Sequence, residues 1–227
     1  MVDVVIIHFN TPELTQATAA SIKKHSPGCR ITIFDNSTER PFPRTDGVYI
    51  FDNTKGNFIN FDAFLQQFPD KQPTTNNWGS AKHCKSVDYL WGMFPHGFIL
   101  ADSDILLKRD ITMLPDESQA FVGEVFQDFS NKFCLVPRVL PYLCWINVPM
   151  CRKQGIRYFD PERNWQLKPS TAAELYDAGA SFFEDCADKR LPFKRIDLSE
   201  YIEHFGGGSY KGRDYTEWLQ KNRDLYE

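Results

Sequence analysis

The run VVIIHF, residues 4–9, constrains this chain more than any other feature. Four consecutive apolar, β-branched residues leave no polar face. A strand built from them must be covered on both sides, as in a parallel sheet between helices. The rest of the first hundred residues alternates to match. Thr11 and Pro12 supply an N-cap and a first helical residue, ELTQATAASIKKH continues as a helix, and Pro27 and Gly28 stop it. RITIF is a second strand ending in DNST, and VYIF is a third ending in DN. A helix through FINFDAFLQQF follows, ended by Pro69. The polar loop PDKQPTTNN leads to another helix from about Ser80, with Ala81, Cys84, Val87 and Trp91 along one face, and then to the strand GFILA. This alternation predicts an α/β fold with a mostly parallel, doubly wound sheet and helices on both faces. In such sheets ligands sit at the carboxyl ends of strands, near a topological switch point. Asn10, Asp35, and Asp102 with Asp104 all fall at such ends.

A length of 227 residues with 42% hydrophobic content suits one α/β domain with a good core, spanning residues 1–227. A net charge of -4 argues against a nucleic-acid protein, which would carry a basic face or stripe. No run approaches the roughly 18 apolar residues of a membrane span. The chain opens on VDVVIIHF without a basic, then apolar, leader, so a cytoplasmic protein is expected, with peripheral contact at the inner face of the membrane left open. The six cysteines include no C-x-x-C pair and read as reduced thiols, not disulfides or a zinc site.

The segment GFILADSDILLKRD, residues 97–110, carries the chemistry. Its apolar run stops at Asp102 and Asp104, one serine apart. Neighbouring carboxylates raise each other's pKa unless a cation or a set of donors holds them. Either they share a divalent metal or they form a solvated strand end. No G-x-G-x-x-G follows the first strand, and G-x-x-x-x-G-K-[ST] occurs nowhere, so a dinucleotide fold and a P-loop are both unlike this chain. A nucleotide bound here needs its phosphates neutralised by another route. Mg²⁺ or Mn²⁺ on the carboxylate pair is that route, because both favour oxygen ligands and bridge phosphate oxygens.

The ordered set VVIIHFN, FDNST, GSAKHCKSVDYL and ADSD, followed by GASFFEDCADKR and IEHFGGGSY, resembles the nucleotide-sugar glycosyltransferases of the GT-A fold, specifically glycosyltransferase family 2. The resemblance implies an inverting, metal-dependent transfer from a nucleotide-sugar donor, a UDP-sugar, to a glycan or lipid-linked glycan acceptor. It places Phe9 and Asn10 beside the nucleobase and Asp35 on the uracil or ribose. Asp104 and His204 become ligands of Mn²⁺ or Mg²⁺, while Asp102 turns to the ribose or the metal, next to Ser103. The family's Ala-Arg-Asn-x-Gly helix is replaced by Ala81, Lys82, His83, Cys84, Lys85, and a Ser-x-x-His pattern puts Ser80 and His83 on the donor instead. The Glu-Asp motif assigns the catalytic base to Asp185, with Glu184 the alternative. Phe182 and Phe183 just before them suggest a partly buried setting. Residues 1–110 would form the donor half and 111–227 the acceptor half with a C-terminal helix.

Bland alternatives accompany each residue. Asp35-Asn36-Ser37 is also a turn signature, and His83 at a helix start is also a structural histidine. The aromatic-rich segment 135–169 is placed on the acceptor side by analogy, although most of its rings suit a core. The tail DYTEWLQKNRDLY reads as an amphipathic helix that covers the core. A sugar-phosphate nucleotidyltransferase and a non-catalytic nucleotide-sugar-binding relative are the competing functions.

Overall fold

The structure is a computed structural model that describes residues 1–68, 78–127, 136–164, 166–167, 176–207 and 213–227. The predicted loop 69–77, part of the aromatic segment and the end of the glycine run lie outside the described residues. In chain order the elements are β1 (Val2–His8), α1 (Pro12–His25), β2 (Cys29–Asp35), β3 (Val48–Asp52), α2 (Phe61–Leu65), α3 (Gly79–Met93) and β4 (Phe98–Ala101). There follow β5 (Ile105–Leu107), β6 (Phe121–Phe126), β7 (Arg138–Ile146), α4 (Val148–Lys153), α5 (Ala180–Asp188), β8 (Lys194–Arg195), β9 (Ile202–His204) and α6 (Thr216–Lys221).

A seven-stranded sheet has the order β3-β2-β1-β4-β7-β6-β8, and β5 pairs with β9 in a separate two-stranded sheet. β3, β2, β1 and β4 run parallel, β7 is antiparallel to both β4 and β6, and β8 is parallel to β6. The sheet is therefore mostly parallel, in agreement with the two-faced apolar strands. Val4 and Ile6 face the α1 side while Val5 and Ile7 face the α3 side, and none of the four is more than 9% exposed. The aromatic segment contributes β7, a long strand between β4 and β6 of this same sheet, and most residues of that strand are buried. No helix of the described residues is long and apolar enough to cross a membrane.

Two predicted helices change. The one expected through 58–68 is only α2, because Asn53 Oδ1 accepts the Phe58 and Ile59 N–H groups at 2.9 and 2.8 Å and holds them in a turn. Asn60 then caps α2, accepting from Ala63 N at 2.9 Å. The C-terminal helix forms as α6, but none of its residues is buried, so it does not cover the core. Pro12 opens α1 as expected, whereas the Thr11 hydroxyl makes no capping bond.

Buried hydroxyls on α1 hold the chain just after β4. Thr18 Oγ1 lies 2.7 Å from the Ile105 carbonyl and 3.0 Å from that of Ser103. Ser21 Oγ accepts from Leu107 N and Ser26 Oγ from Ile111 N, both at 3.0 Å. Three hydroxyls thus pair backbone groups of β5 and its surroundings that join no strand of the main sheet. Buried backbone groups need such partners. Replacing Thr18 with Val keeps the shape and leaves the Ile105 carbonyl unpaired, so Thr18→Val should cost about 1–3 kcal/mol in urea unfolding. An unchanged midpoint would show that the hydroxyl is not what fixes this segment.

Candidate active site

The two aspartates sit in the turn between β4 and β5, and the partner they gather comes from β9. Antiparallel pairing sets Ile105 opposite His204, and Phe205 N donates to the Asp104 carbonyl at 3.0 Å. As a result Asp102, Asp104 and His204 each present a ligand atom within 4.8 Å of the others. His204 Nε2 is 3.3 Å from Asp104 Oδ1. Asp102 is anchored by its own N–H, which donates to the Tyr142 carbonyl at 3.0 Å, and the Tyr142 ring lies 4.1 Å from the His204 ring. Phe205, next in line, is held by Trp218 and Arg213 at 5.4 and 4.9 Å, and Tyr215 of that tail donates to Glu13 at 2.6 Å. The tail therefore steadies the strand end that carries His204.

Burial pushes the Asp102 carboxyl up to about 7, and the Asp104 charge adds to it. Burial works against a charged His204, but its hydrogen bond to Asp104 and the charges of both aspartates prevail and raise its pKa. Two carboxylates and an imidazole, all oxygen or nitrogen donors, with one carboxyl kept from ionising easily by burial and its like-charged neighbour, fit a divalent cation.

These groups line a cleft of about 400 Å³. Ile7 and Phe9 bring the end of β1 to it, Ser103 the turn after β4, and Gly206 and Gly207 the chain after β9. Both glycines have positive φ, at 73° and 75°. The N-terminus of α3 forms another wall through Gly79, Ser80, Lys82 and His83, with the positive end of its helix dipole. Lys82 lies over the Phe9 and Phe61 rings at 5.9 and 5.6 Å, and burial lowers its pKa.

Of the sequence-predicted residues, Phe9, Ser80, His83, Asp102, Ser103, Asp104 and His204 meet in this cleft. Asp35 and Asn10 lie outside its lining. Asp35 is 1% exposed, and its two oxygens accept from Ser37 N at 2.9 Å and Phe42 N at 2.7 Å. Asn10, at φ 58°, takes the N–H groups of Thr38, Glu39 and Arg40 on one oxygen at 2.9–3.0 Å. Both side chains build the loop after β2. Asn36, which sequence reasoning passed over, lines the cleft instead, donating to Ser86 Oγ at 2.8 Å.

Glu184 and Asp185, the carboxylates of the Glu-Asp motif, share one arginine. They lie outside the cleft, where Arg163 donates to Glu184 Oε2 and to both Asp185 oxygens at 2.8 Å. Tyr176 also donates to Glu184, at 2.8 Å. The carboxylate that does line the cleft beyond the metal group is Asp177, among the described residues. Asp177 pairs with Arg138, also in the cleft, and accepts from Ala178 N at 2.8 Å. Gly179, at φ +83°, keeps this turn against β7: a Cβ there would fall 2.1 Å from the Val139 carbonyl. Gln166, which accepts from Ala81 N at 2.9 Å, was missed as well. Only the glycine beside Asp177 could have signalled this turn in the sequence.

No family model matches the chain, and no curated protein matches it. Solved structures do. The galactosyltransferase LgtC, in complex with donor and acceptor sugar analogs, is similar over 87% of this chain and 74% of that one, at 11% identity and a TM-score of 0.54. An active-site mutant of LgtC is similar over 87% and 73%, at 10% identity and a TM-score of 0.55. At these identities the likeness is one of fold: the chain has the GT-A-type architecture of these enzymes.

His83 gives the site a measurable pH signature. Its Nε2 is buried without a partner among the described residues, and burial lowers its pKa from 6.5 to about 4. Between those values the unfolded chain binds a proton that the folded chain refuses, so stability is present above pH 6.5 and lost as pH falls to about 4. At about 1.4 kcal/mol for each pH unit, the loss is roughly 3 kcal/mol. Urea unfolding of His83→Gln should lose less than wild type on the same acidification. Parallel losses would mean that His83 titrates normally.

Proposed function

We propose that this protein is a metal-dependent glycosyltransferase that moves a sugar from a nucleotide-diphosphate donor, a UDP-sugar, to a hydroxyl of a glycan or lipid-linked glycan. The observation that carries the reading is the convergence of Asp102, Asp104 and His204 at the carboxyl end of a central strand in a GT-A-type fold. Family 2 in particular is favoured by the order of the sequence motifs.

Asp104 and His204, with Asp102, would hold Mn²⁺ or Mg²⁺, which when bound neutralises the charge of the leaving diphosphate. The N-terminus of α3 and Lys82 add positive potential on the same side of the cleft. Phe9 offers an apolar face and Asn36 a polar edge for the nucleoside, and Ser80 with His83 would contact the donor beyond it. Inversion requires a group that takes the acceptor hydroxyl's proton as its oxygen attacks the anomeric carbon opposite the diphosphate. Asp177, the cleft carboxylate outside the metal group, is placed for that role, and Asp185 of the Glu-Asp motif, paired with Arg163 away from the cleft lining, is the alternative.

Two measurements test this. A panel of nucleotide sugars, assayed with and without Mn²⁺, should reveal one that is hydrolysed or transferred only with the ion, and Asp104→Ala should abolish turnover. Full activity in excess chelator would refute the metal role. Release of pyrophosphate from a nucleoside triphosphate in the presence of a sugar phosphate would favour the nucleotidyltransferase.

The base assignment separates two aspartates. Asp177→Asn should lower transfer by roughly 10²–10⁴-fold with donor binding retained. Asp185→Asn should cost about 1 kcal/mol of stability through its part-exposed pair with Arg163, and leave turnover within a fewfold of wild type. The reverse pattern, or a product that keeps the donor's anomeric configuration, would overturn the assignment.

A further inference from the structure

A second concavity, of about 390 Å³, lies beside α2 and the later turns of α3 and shares no lining residue with the cleft. Its walls are aromatic. Phe58 is 39% exposed, yet three rings hold it in place: Phe34 at 6.1 Å, Phe51 at 5.8 Å and Tyr89 at 6.0 Å. A half-exposed ring supported in this way offers a flat, rigid face that loses little freedom when something stacks on it.

The charges of the pocket are arranged asymmetrically. Asp88 accepts a two-point contact from Arg157, and the Asp88 side chain is 5% exposed against 70% for Arg157. The carboxylate therefore lies inside and the guanidinium faces outward. Lys85 lies over the Phe64 ring at 5.3 Å on the same wall. Lys85 and Arg157 against Asp88 leave one net positive charge, and the exposed end of the pair is the cationic one.

We propose that this pocket binds an acidic glycan, with a sugar ring stacked on Phe58 and Tyr89 and the sugar's carboxylate met by Arg157 and Lys85. Sugar rings present a face of weakly positive C–H bonds, which suits the negative face of an aromatic ring. A carboxylate suits the planar donors of a guanidinium and the charge of a nearby ammonium. Because no residue is shared with the cleft, the proposal stands or falls separately from the glycosyltransferase reading.

The test is calorimetric titration of the full chain with hexagalacturonate, using maltohexaose as the neutral control. Hexagalacturonate should bind, weaken as salt is raised, and bind better than maltohexaose. Phe58→Ala and Arg157→Gln should each weaken it about tenfold, with Mn²⁺–UDP binding unchanged. Failure of hexagalacturonate to bind, equal binding of the two oligosaccharides, or wild-type affinity in both variants would overturn the proposal. Arg157→Gln keeps the test decisive if removal of the Phe58 ring unsettles the cluster.

Discussion

Two carboxylates at the end of a buried strand set the main electrostatic constraint of this protein. Asp102 and Asp104 repel each other where water is scarce, and burial with that repulsion holds the Asp102 carboxyl near 7. The His204 imidazole lies against both, and the Arg138 charge also acts on Asp102. Such a cluster is costly for a fold that does not use it. It becomes favourable once a divalent ion takes the place of the protons, which is why the cluster reads as chemistry and not as architecture.

Much of the surrounding structure serves to keep these groups together. Thr18, Ser21 and Ser26 pin the segment after β4 to α1. The pairing of β5 with β9 fixes the height of His204, and the aromatic tail around Phe205 braces its far side. Gln166 and Asn164 reach the first turn of α3, accepting from Ala81 N and donating to Ser80 Oγ, and so shape the opposite wall. The polar pairs that end β2 and β3 work behind these walls: Asn53 donates to Asn36 at 2.9 Å, and Asn36 to Ser86. Four segments distant in sequence thus converge on one cleft.

How much of this the sequence disclosed depends on the range of the interaction. The parallel strands were legible because four β-branched residues in a row admit only burial on both faces, and α1 and α3 because their apolar spacing and breakers are local. That Asp104 and His204 come together was legible through motif order. Roles decided by a distant partner were not. Asn10, at the end of β1, holds the N–H groups of Thr38, Glu39 and Arg40 after β2, which no local signal announces. Asp185 belongs to the expected motif, but Arg163 engages it. Gly179 alone hinted at the turn that carries Asp177, whose place in the cleft depends on Arg138 of β7 and on the close approach of that glycine to Val139. α2 is short because Asn53, several residues upstream, captures the N–H groups that would have begun a longer helix.

The central claim is that Asp102, Asp104 and His204 form one cation site that receives a nucleoside diphosphate. Electron paramagnetic resonance of Mn²⁺ measures this directly, since the free-ion signal falls as the ion binds. Added to the protein with UDP at neutral pH, Mn²⁺ should be taken up by wild type in a one-to-one complex. His204→Ala should bind it about tenfold or more weakly, as loss of a coordinating group requires. An undiminished Mn²⁺ signal with the wild-type protein, or equal uptake by the variant, would contradict the account.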